Sequence, residues 1–355
     1  MAKPQPQMIS GANPQTTSGT NSPVSNLPVK LPALLNKGHG HARNPGTALN
    51  LDWIDGINVN LSAVERRTGT LLGRRTVKKQ WQAAWLLKAI ACMDLTTLSG
   101  DDTAGRVKRL CAKARKPLRD DLVAGLGIER LNLTTGAVCV YHEMVSTAVK
   151  ELQGTNIPVA AVAAGFPHGL SPLKQRLAEI KASVEEGAKE IDIVITRGHV
   201  LTGNWQALYD EVKAFREACG EAHLKSILAT GELATMRNVA KASMVAMMAG
   251  SDFIKTSTGK ESVNANLNVT MVMIRMIREF EDQTGYKVGY KPAGGIALAK
   301  DVMNYQFIMK EELGNDWLQP DLFRIGASSL LADIERQLEH HLTGRYSANN
   351  RHPVG

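Results

Sequence analysis

The run Ser251-Asp252-Phe253-Ile254-Lys255-Thr256-Ser257-Thr258-Gly259-Lys260 has a short apolar core followed by a glycine turn. The residues at 264–282 then show the apolar spacing of an amphipathic helix, and Lys287-Val288-Gly289-Tyr290-Lys291-Pro292-Ala293-Gly294-Gly295 repeats the first pattern. A strand, a helix and a second strand of this kind form a parallel βαβ unit. This unit sets the expectation for the rest of the chain.

The same alternation extends outward in both directions from this unit. Helical patterns follow the strand candidates at about 103–115, 142–153, 171–187, 204–218, 232–249, 264–282, 296–312 and 328–342, and two more precede them at 58–67 and 76–88. The eight strand candidates are Ala89–Leu95, Gly136–Tyr141, Ile157–Ala164, Glu190–Thr196, Leu224–Ala229, Asp252–Ser257, Lys287–Ala293 and Leu322–Ala327.

Eight strand–helix pairs predict a closed (β/α)8 TIM barrel with extra N-terminal helices. A doubly wound open sheet is the alternative, but it more often carries a glycine-rich dinucleotide turn after its first strand. Asp94-Leu95-Thr96-Thr97-Leu98 is not such a turn. The long stretch Lys116–Leu133 predicts an extra loop or helix over one face.

The ends of the chain differ from this pattern. Residues 1–50 are rich in Pro, Asn, Ser, Thr, Gly and Gln, with four basic residues and no acidic one, so we expect a disordered basic extension. A transit peptide and a weak metal site at His39 and His41 are less favoured alternatives. The predicted domains are this extension, the barrel at 51–345 and a C-terminal tail at 346–355.

Composition limits the possible functions. Half of the net charge of +8 comes from the first 51 residues, and the chain has no stripe of basic residues interleaved with aromatics. Nucleic acid is therefore not the expected partner. The four cysteines form no C-x-x-C pair, and no apolar run reaches the length of a membrane span. We expect a cytoplasmic enzyme without a bound metal or cofactor.

Charged residues occupy alternate positions at the ends of several strand candidates. If these positions face the lumen, Lys255, Lys291, Asp192 and Asp94 lie together in a small, poorly hydrated space. A buried ion-pair network without chemistry is the alternative, but such networks are weak stabilisers. Two lysines with two carboxylates suit Schiff-base chemistry, in which one amine attacks a carbonyl and a second cation keeps it unprotonated.

Glycine and serine loops follow the last three strand candidates. In this fold an anion commonly binds between the loops after strands seven and eight and the start of a helix. Backbone N–H groups beside glycine approach phosphate closely, and serines at a helix start can cap it and donate to an anion. The expected phosphate groove consists of Gly259, Lys260, Gly294, Gly295, Gly326, Ser328 and Ser329.

Several long motifs carry a family resemblance between Met93 and about Arg345. They include MDLTTL at 93–98, GFPHG at 165–169, EIDIV at 190–194, TGEL at 230–233 and the two lysine strands. The chain resembles the class I 2-deoxyribose-5-phosphate aldolases, in their longer, animal-like branch. The resemblance implies reversible cleavage of 2-deoxy-D-ribose 5-phosphate to D-glyceraldehyde 3-phosphate and acetaldehyde, in deoxyribonucleoside catabolism.

The resemblance also implies residue roles. Lys255 is expected to form the Schiff base, Lys291 to be its cationic neighbour, Asp192 to be the acid/base carboxylate and Asp94 to support them. Some members have an arginine after the Gly-Gly pair, where this chain has Ile296-Ala297-Leu298. A Schiff-base barrel aldolase acting on a keto-sugar phosphate is the alternative function. A non-catalytic phosphosugar-binding protein is a further one, and a homo-oligomer, most simply a dimer, is expected.

Overall fold

Eight parallel strands form a closed barrel in the computed structural model, which describes residues 42–352. Pairing runs in chain order from the first strand to the seventh, and the eighth pairs with the first. Bridges from Tyr290 to Phe323 and from Ala293 to Gly326 complete the ring. The strands are β1 Met93–Thr96, β2 Ala137–Tyr141, β3 Val159–Ala163, β4 Glu190–Val194, β5 His223–Ile227, β6 Phe253–Lys255, β7 Gly289–Lys291 and β8 Ile325–Ala327.

Helices surround the barrel, and each strand is followed by at least one of them. Four helices precede the first strand: α1 Leu51–Gly56, α2 Leu61–Gly69, α3 Leu71–Arg74 and α4 Lys79–Ala91. The others are α5 Ala104–Arg115, α6 Asp120–Leu126, α7 Val145–Glu151, α8 Leu173–Glu185, α9 Arg197–Leu201, α10 Trp205–Ala218, α11 Met236–Met248, α12 Leu267–Thr284, α13 Ala299–Leu313 and α14 Leu330–Thr343. The predicted (β/α)8 barrel is confirmed.

The apolar core lies between the strands and the helices. In β4, Ile191 and Ile193 are fully buried in this core, and the acidic residues that alternate with them face the lumen. In β6 and β7, Ile254 and Tyr290 likewise point to the helix layer, where the Tyr290 hydroxyl lies 2.7 Å from that of Thr270. The period of two along each strand therefore separates an apolar outer face from a polar inner face.

The first strand begins later than the sequence predicts. Ala89 to Ala91 were assigned to a strand, but they form the last turn of α4. Nearly every residue from Ala83 to Ala91 is buried, so the apolar run is continuous and has no period that distinguishes a helix from a strand. The stretch between the first helix of the barrel and β2 contains α6, as expected for an extra element.

The boundary of the N-terminal extension also differs from the prediction. Residues 1–41 lie outside the described residues, but residues 42–50 pack on the barrel instead of being disordered. The Asn44 side chain donates to the carbonyls of Met247 and Ser251 at 2.8 and 2.9 Å, and its backbone N–H donates to Asp252. A buried, fully hydrogen-bonded asparagine fixes this segment, a contact that composition does not reveal.

The C-terminal tail packs against the last helix. His352 is buried and lies 2.6 Å from the Ser347 hydroxyl, so the predicted boundary at residue 345 is not a structural one. The Tyr346 ring stacks on His340, with 4.1 Å between the ring centroids. His340 lies ten residues beyond the start of α14. At the helical rise per residue this places His340, and the Tyr346 ring stacked on it, about 15 Å along the helix from the predicted groove residues Ser328 and Ser329. Residues 353–355 lie outside the described residues.

A search for membrane spans among residues 42–352 finds no helix with the length and apolarity needed to cross a bilayer.

Candidate active site

Seven charged side chains fill the barrel lumen, and none is more than 3 % exposed. Strand register explains why they meet: Asp192 is paired with Lys225 on the next strand, and Lys255 is paired with Lys291. Partners in a parallel sheet point to the same face, so one inward residue brings its neighbours with it. The seven are Asp94, Glu190, Asp192, Lys225, Lys255, Lys291 and Arg324.

The four residues predicted to meet in the lumen are in direct contact. Lys255 Nζ and Lys291 Nζ donate to the same oxygen, Asp192 Oδ2, at 2.8 and 2.7 Å. Lys291 Nζ also donates to Asp94 Oδ2 at 2.5 Å. The two lysines therefore share one carboxylate oxygen, whereas the sequence predicted only that these four residues would lie together in the lumen.

Three further lumen residues were missed by the sequence reasoning. Lys225 Nζ donates to Glu190 Oε2 at 2.6 Å and to Asp192 Oδ1 at 2.8 Å. Arg324 donates to Glu190 Oε1 at 2.6 Å and to Asp94 Oδ1 at 2.7 Å. The signal was present in the sequence: Glu190 alternates with Asp192, Lys225 is flanked by Leu224 and Ser226, and Arg324 is two residues before Gly326. Applying the period of two to the start of the fourth strand and to the fifth and eighth strands would have found all three.

Lys255 is the one lumen cation whose pKa is lowered. Burial is the largest cause of the low pKa, and the positive charge of Lys291 adds to it, while the attraction of Asp192 opposes both. Burial also lowers the pKa of Lys291, but there Asp192 and Asp94 outweigh burial and raise it. The pKa of Lys225 is likewise raised by its carboxylates against burial. The same lumen thus lowers the pKa of one lysine and raises the pKa of two others.

The lumen carboxylates stay ionised for the same reason. Burial acts to raise the pKa of Asp192, but Lys225, Lys255 and Lys291 together hold it well below its ordinary value. The pKa of Asp94 is also lowered, by Lys291 and the neighbouring arginine, although burial opposes them. Near neutral pH the lumen therefore contains carboxylates that accept hydrogen bonds and carry charge.

A cavity of about 430 Å³ opens above Lys255 at the carboxyl ends of the strands. Of the seven charged lumen residues, all within the described part of the chain, Lys255 alone lines this cavity. All seven residues of the expected phosphate groove line the same cavity. Its wall consists of Thr96, Thr97, Leu98, Ser99, Lys255, Thr258, Gly259, Lys260, Ala293, Gly294, Gly295, Ile296, Ala297, Gly326, Ala327, Ser328 and Ser329.

Two glycines of this groove occupy positions where a side chain would collide with neighbouring atoms. Gly294 has a φ of +81°, which disfavours other residues, and a Cβ there would lie 2.6 Å from the Asn264 side chain. A Cβ at Gly326 would lie 2.9 Å from Ala293 and 3.4 Å from Lys291 Cε. The absent side chains therefore leave room for the Lys291 and Asn264 side chains and for a ligand in the cavity.

Two details of the groove differ from the sequence expectation. The Gly259 backbone N–H donates to Glu261 Oε2 at 3.1 Å, so this donor is already occupied by a carboxylate of the same loop. Ser329 is the N-cap residue of α14, but its side chain makes no capping hydrogen bond. The expected cap is wrong because Ser329 has a helical backbone conformation (φ −64°, ψ −21°), whereas a side-chain cap needs an extended one.

A small apolar cluster lies on the inner faces of β2 and β3. Cys139, Ala160 and Val162 are fully buried there. Tyr141 and Phe166 pack against them, and the rings of these two residues meet edge to face. Register places these residues inward, because Val162 is paired with Asp192 and Ala160 with Glu190. These three residues are fully buried and do not line the cavity above Lys255.

No group of three or more His, Cys, Asp or Glu side chains within residues 42–352 has the arrangement of a metal site. The lumen carboxylates are instead occupied by lysine and arginine.

Comparison with known proteins identifies the family. A family model described as DeoC/LacD family aldolase matches residues 88–335. Deoxyribose-phosphate aldolase from Homo sapiens is 62% identical over 315 residues, which cover 88% of this chain and 99% of that protein. The chain belongs to the DeoC/LacD aldolases. It is therefore an aldolase, a lyase of carbon–carbon bonds, and the resemblance drawn from its motifs is confirmed.

Other relatives agree with this assignment. Deoxyribose-phosphate aldolase from Bos taurus is 60% identical over 315 residues, with 88% of this chain and 99% of that protein covered. Identity of this order with mammalian proteins fits the longer, animal-like branch. A tetrameric deoxyribose phosphate aldolase from Aeropyrum pernix superposes with a TM-score of 0.55 at 20% identity, covering 75% of this chain and 97% of that one. This likeness supports the fold alone.

Proposed function

We propose that this aldolase cleaves 2-deoxy-D-ribose 5-phosphate to acetaldehyde and D-glyceraldehyde 3-phosphate, reversibly, through a Schiff base on Lys255. The observation that carries the proposal is the placement of Lys255. Its amine has a lowered pKa, lies 2.8 Å from Asp192 and lines a cavity whose other end is a glycine and serine groove. The relatives of about 60% identity are deoxyribose-phosphate aldolases.

The first step needs an unprotonated amine. An ordinary lysine has a pKa of about 10.4, so under a thousandth of it is neutral at pH 7. Burial and the charge of Lys291 increase that fraction at Lys255. The neutral amine attacks C1 of the ring-opened sugar to form a carbinolamine, and loss of water gives the iminium. Lys291, which holds its proton, supplies the acid that helps hydroxide leave as water.

Bond cleavage follows from the position of the iminium. The bond between C2 and C3 lies one atom away from the iminium carbon, so its electron pair can move into the C1–C2 bond and neutralise the nitrogen. The C3 hydroxyl loses its proton to a base as the C3 aldehyde forms, and Asp192 is the ionised carboxylate at the site. The two-carbon enamine that remains is protonated at C2 and hydrolysed to acetaldehyde.

The groove is suited to the phosphate of the substrate. Lys260 supplies a positive charge, while Ser328 and Ser329 lie at the start of the 14-residue helix α14, whose backbone N–H groups favour an anion. The neighbouring Gly294 and Gly295 have φ values of +81° and +78°, which brings backbone close to the cavity. Because Ile296 and Ala297 line the groove, Lys260 has the main share of the side-chain charge.

The remaining predictions are part of the same proposal. We expect a cytoplasmic enzyme of deoxyribonucleoside catabolism that uses no metal or cofactor and works as a homo-oligomer, most simply a dimer. Light scattering on the purified chain tests the oligomer, and assays with and without a chelator test the metal. A salt-dependent titration of full-length and tail-deleted protein tests nucleic acid binding, which we expect to be absent.

Trapping the intermediate tests the central claim. With acetaldehyde and borohydride, a two-carbon adduct is expected on Lys255 by peptide mass mapping. Lys255→Met should abolish the adduct and lower turnover on the order of 10⁴-fold or more. The matched control Lys260→Met removes a cation from the groove and should retain the adduct. Labelling at another lysine, or turnover of a keto-sugar phosphate with none of deoxyribose 5-phosphate, would contradict the proposal.

A further inference from the structure

The lower end of the lumen network lies on the side away from the groove. Glu190 is the first residue of β4 and Arg324 immediately precedes β8, so both lie at the amino ends of the strands. They line a separate cavity of about 600 Å³ on that face, and neither residue, nor Lys225, lines the groove above Lys255. These three residues therefore do not touch a molecule bound in the groove.

The lower residues hold the carboxylates of the site by their second oxygens. Asp94 Oδ1 accepts from Arg324 at 2.7 Å, and Asp192 Oδ1 accepts from Lys225 at 2.8 Å. The Oδ2 atoms of the same two carboxylates face Lys291 and, for Asp192, also Lys255. Each aspartate thus links a lower cation to an upper one, and the seven groups form one continuous network.

The charge of this network does not balance when every group is ionised. Four cations face three carboxylates, which leaves one positive charge among side chains that are at most 3 % exposed. A net charge in such a medium is costly, and loss of one proton removes it. Lys255 is the cation at the mouth of the lumen, with a single carboxylate partner, whereas Lys225 and Lys291 each contact two or more.

We propose that Arg324 and Glu190 are positioning residues that set the charge state of the Lys255 amine from the far end of the lumen. They act through Asp94, Lys225 and Asp192, and the proposal rests on the Schiff-base function given above. Arg324 supplies the fourth positive charge, which favours loss of a proton, and Glu190 opposes it. The groups that decide whether Lys255 is neutral thus include two side chains that never meet the substrate.

Other titratable groups that face Lys255 do not replace this effect. The adjacent strands contribute Lys225 from β5 and Lys291 from β7, and strands further around the ring contribute Asp94 from β1, Cys139 from β2 and Asp192 from β4. Burial raises the pKa of Cys139, so its thiol stays neutral. The inward residues of β3 are Ala160 and Val162, which do not titrate.

Two single substitutions should move the pH dependence in opposite directions. Arg324→Met removes a positive charge. The acid limb of the pH–rate profile for Schiff-base formation should therefore shift to higher pH by about one unit. Glu190→Gln removes a negative charge, so the limb should shift to lower pH by a similar amount. The readout is the rate of acetaldehyde trapping on Lys255 by cyanoborohydride, measured from pH 5 to pH 9. At pH values below the acid limb of the wild type, Arg324→Met should trap acetaldehyde about tenfold more slowly than the wild type. Glu190→Gln should trap it about tenfold faster.

The double variant decides the case if either single variant folds poorly. Glu190→Gln with Arg324→Met removes one charge of each sign, so its limb should return to within about half a unit of the wild type. Arg324→Lys keeps the charge and should also remain near the wild type. Equal shifts of both singles in one direction, or a displaced limb in the double variant, would overturn the inference. Failure of the wild type to trap acetaldehyde would instead refute the proposed function.

Discussion

The lumen and the groove of this barrel adjoin at Lys255 but differ in how their polar groups are satisfied. In the lumen each of the seven charged side chains has at least one charged partner, and burial is nearly complete. In the groove, the side chains of Lys260, Ser328 and Ser329 make no hydrogen bond or ion pair with any of residues 42–352. The groove thus has donors available to a ligand, whereas those of the lumen are already in use.

This difference separates two tasks of the site. The lumen groups are fixed before the substrate arrives, so little reorganisation is needed when charge develops during the reaction. The groove groups gain partners only when an anion binds, so they favour binding rather than the chemical step. Substitutions in the lumen should therefore lower kcat and stability, and substitutions in the groove should raise KM.

Among the substitutions that leave Lys255 in place, Asp192→Asn is expected to have the largest effect. Asp192 accepts hydrogen bonds from three lysines, so its loss removes the base and leaves unbalanced buried cations. We expect turnover to fall by about 10⁴-fold, at the upper end for acid–base groups. The free energy of unfolding should fall by about 3–5 kcal/mol, as for a broken buried ion pair. Steady-state assays and urea unfolding check both values, and a variant of wild-type stability would contradict the role assigned to the network.

Lys291→Met should follow, with a loss of about 10²–10⁴-fold in kcat at pH 7. Removing this cation raises the pKa of Lys255, because Lys291 is one of the two causes that lower it. Part of the activity should therefore return between pH 7 and pH 9. If the variant keeps more than half of the wild-type activity at pH 7, the like-charge argument is wrong.

Lys260→Gln tests the groove and should be milder. Loss of a charged contact to phosphate costs about 1.5–3 kcal/mol, so KM for deoxyribose 5-phosphate should rise about 10- to 100-fold. The same variant should cleave unphosphorylated 2-deoxyribose as the wild type does. Lys150→Gln, on the exposed face of α7, is the matched control and should change neither value. Equal effects on both substrates would show that Lys260 acts on the chemical step.

Acid should destabilise the lumen by the smallest amount. The pKa values of Asp94, Asp192 and Glu190 are lowered in the folded state, where their cationic neighbours outweigh burial. Their stabilising contribution is present above the unfolded pKa of about 4 and is lost as the pH falls below it.

The free energy of unfolding should be nearly constant from pH 7 to pH 5 and lower by about 1 kcal/mol at pH 4. Lys260→Gln should show the same curve, because it changes no lumen carboxylate. Urea unfolding across this range provides the measurement, and a constant value down to pH 3 would contradict the low pKa values.

Local pattern predicted most of the fold and the upper part of the site. The period of two in β6 and β7 placed Lys255 and Lys291 on the inner face, and the glycine loops after them predicted the groove. Local pattern failed at Ala89–Ala91, where a continuous apolar run fits a helix and a strand equally well. It also failed at Asn44, whose partners are about 200 residues away in the chain.

The sequence by itself determined the barrel, the inward position of Lys255 and the location of the groove, because alternation along a strand and the order of elements can be read directly from the chain. Tertiary structure decided which charges are in contact. Asp94 and Lys291 are 197 residues apart, and Arg324 and Glu190 are 134 apart. Contacts across a lumen depend on strand register and on the closure of the ring, and neither is encoded in the neighbours of one residue.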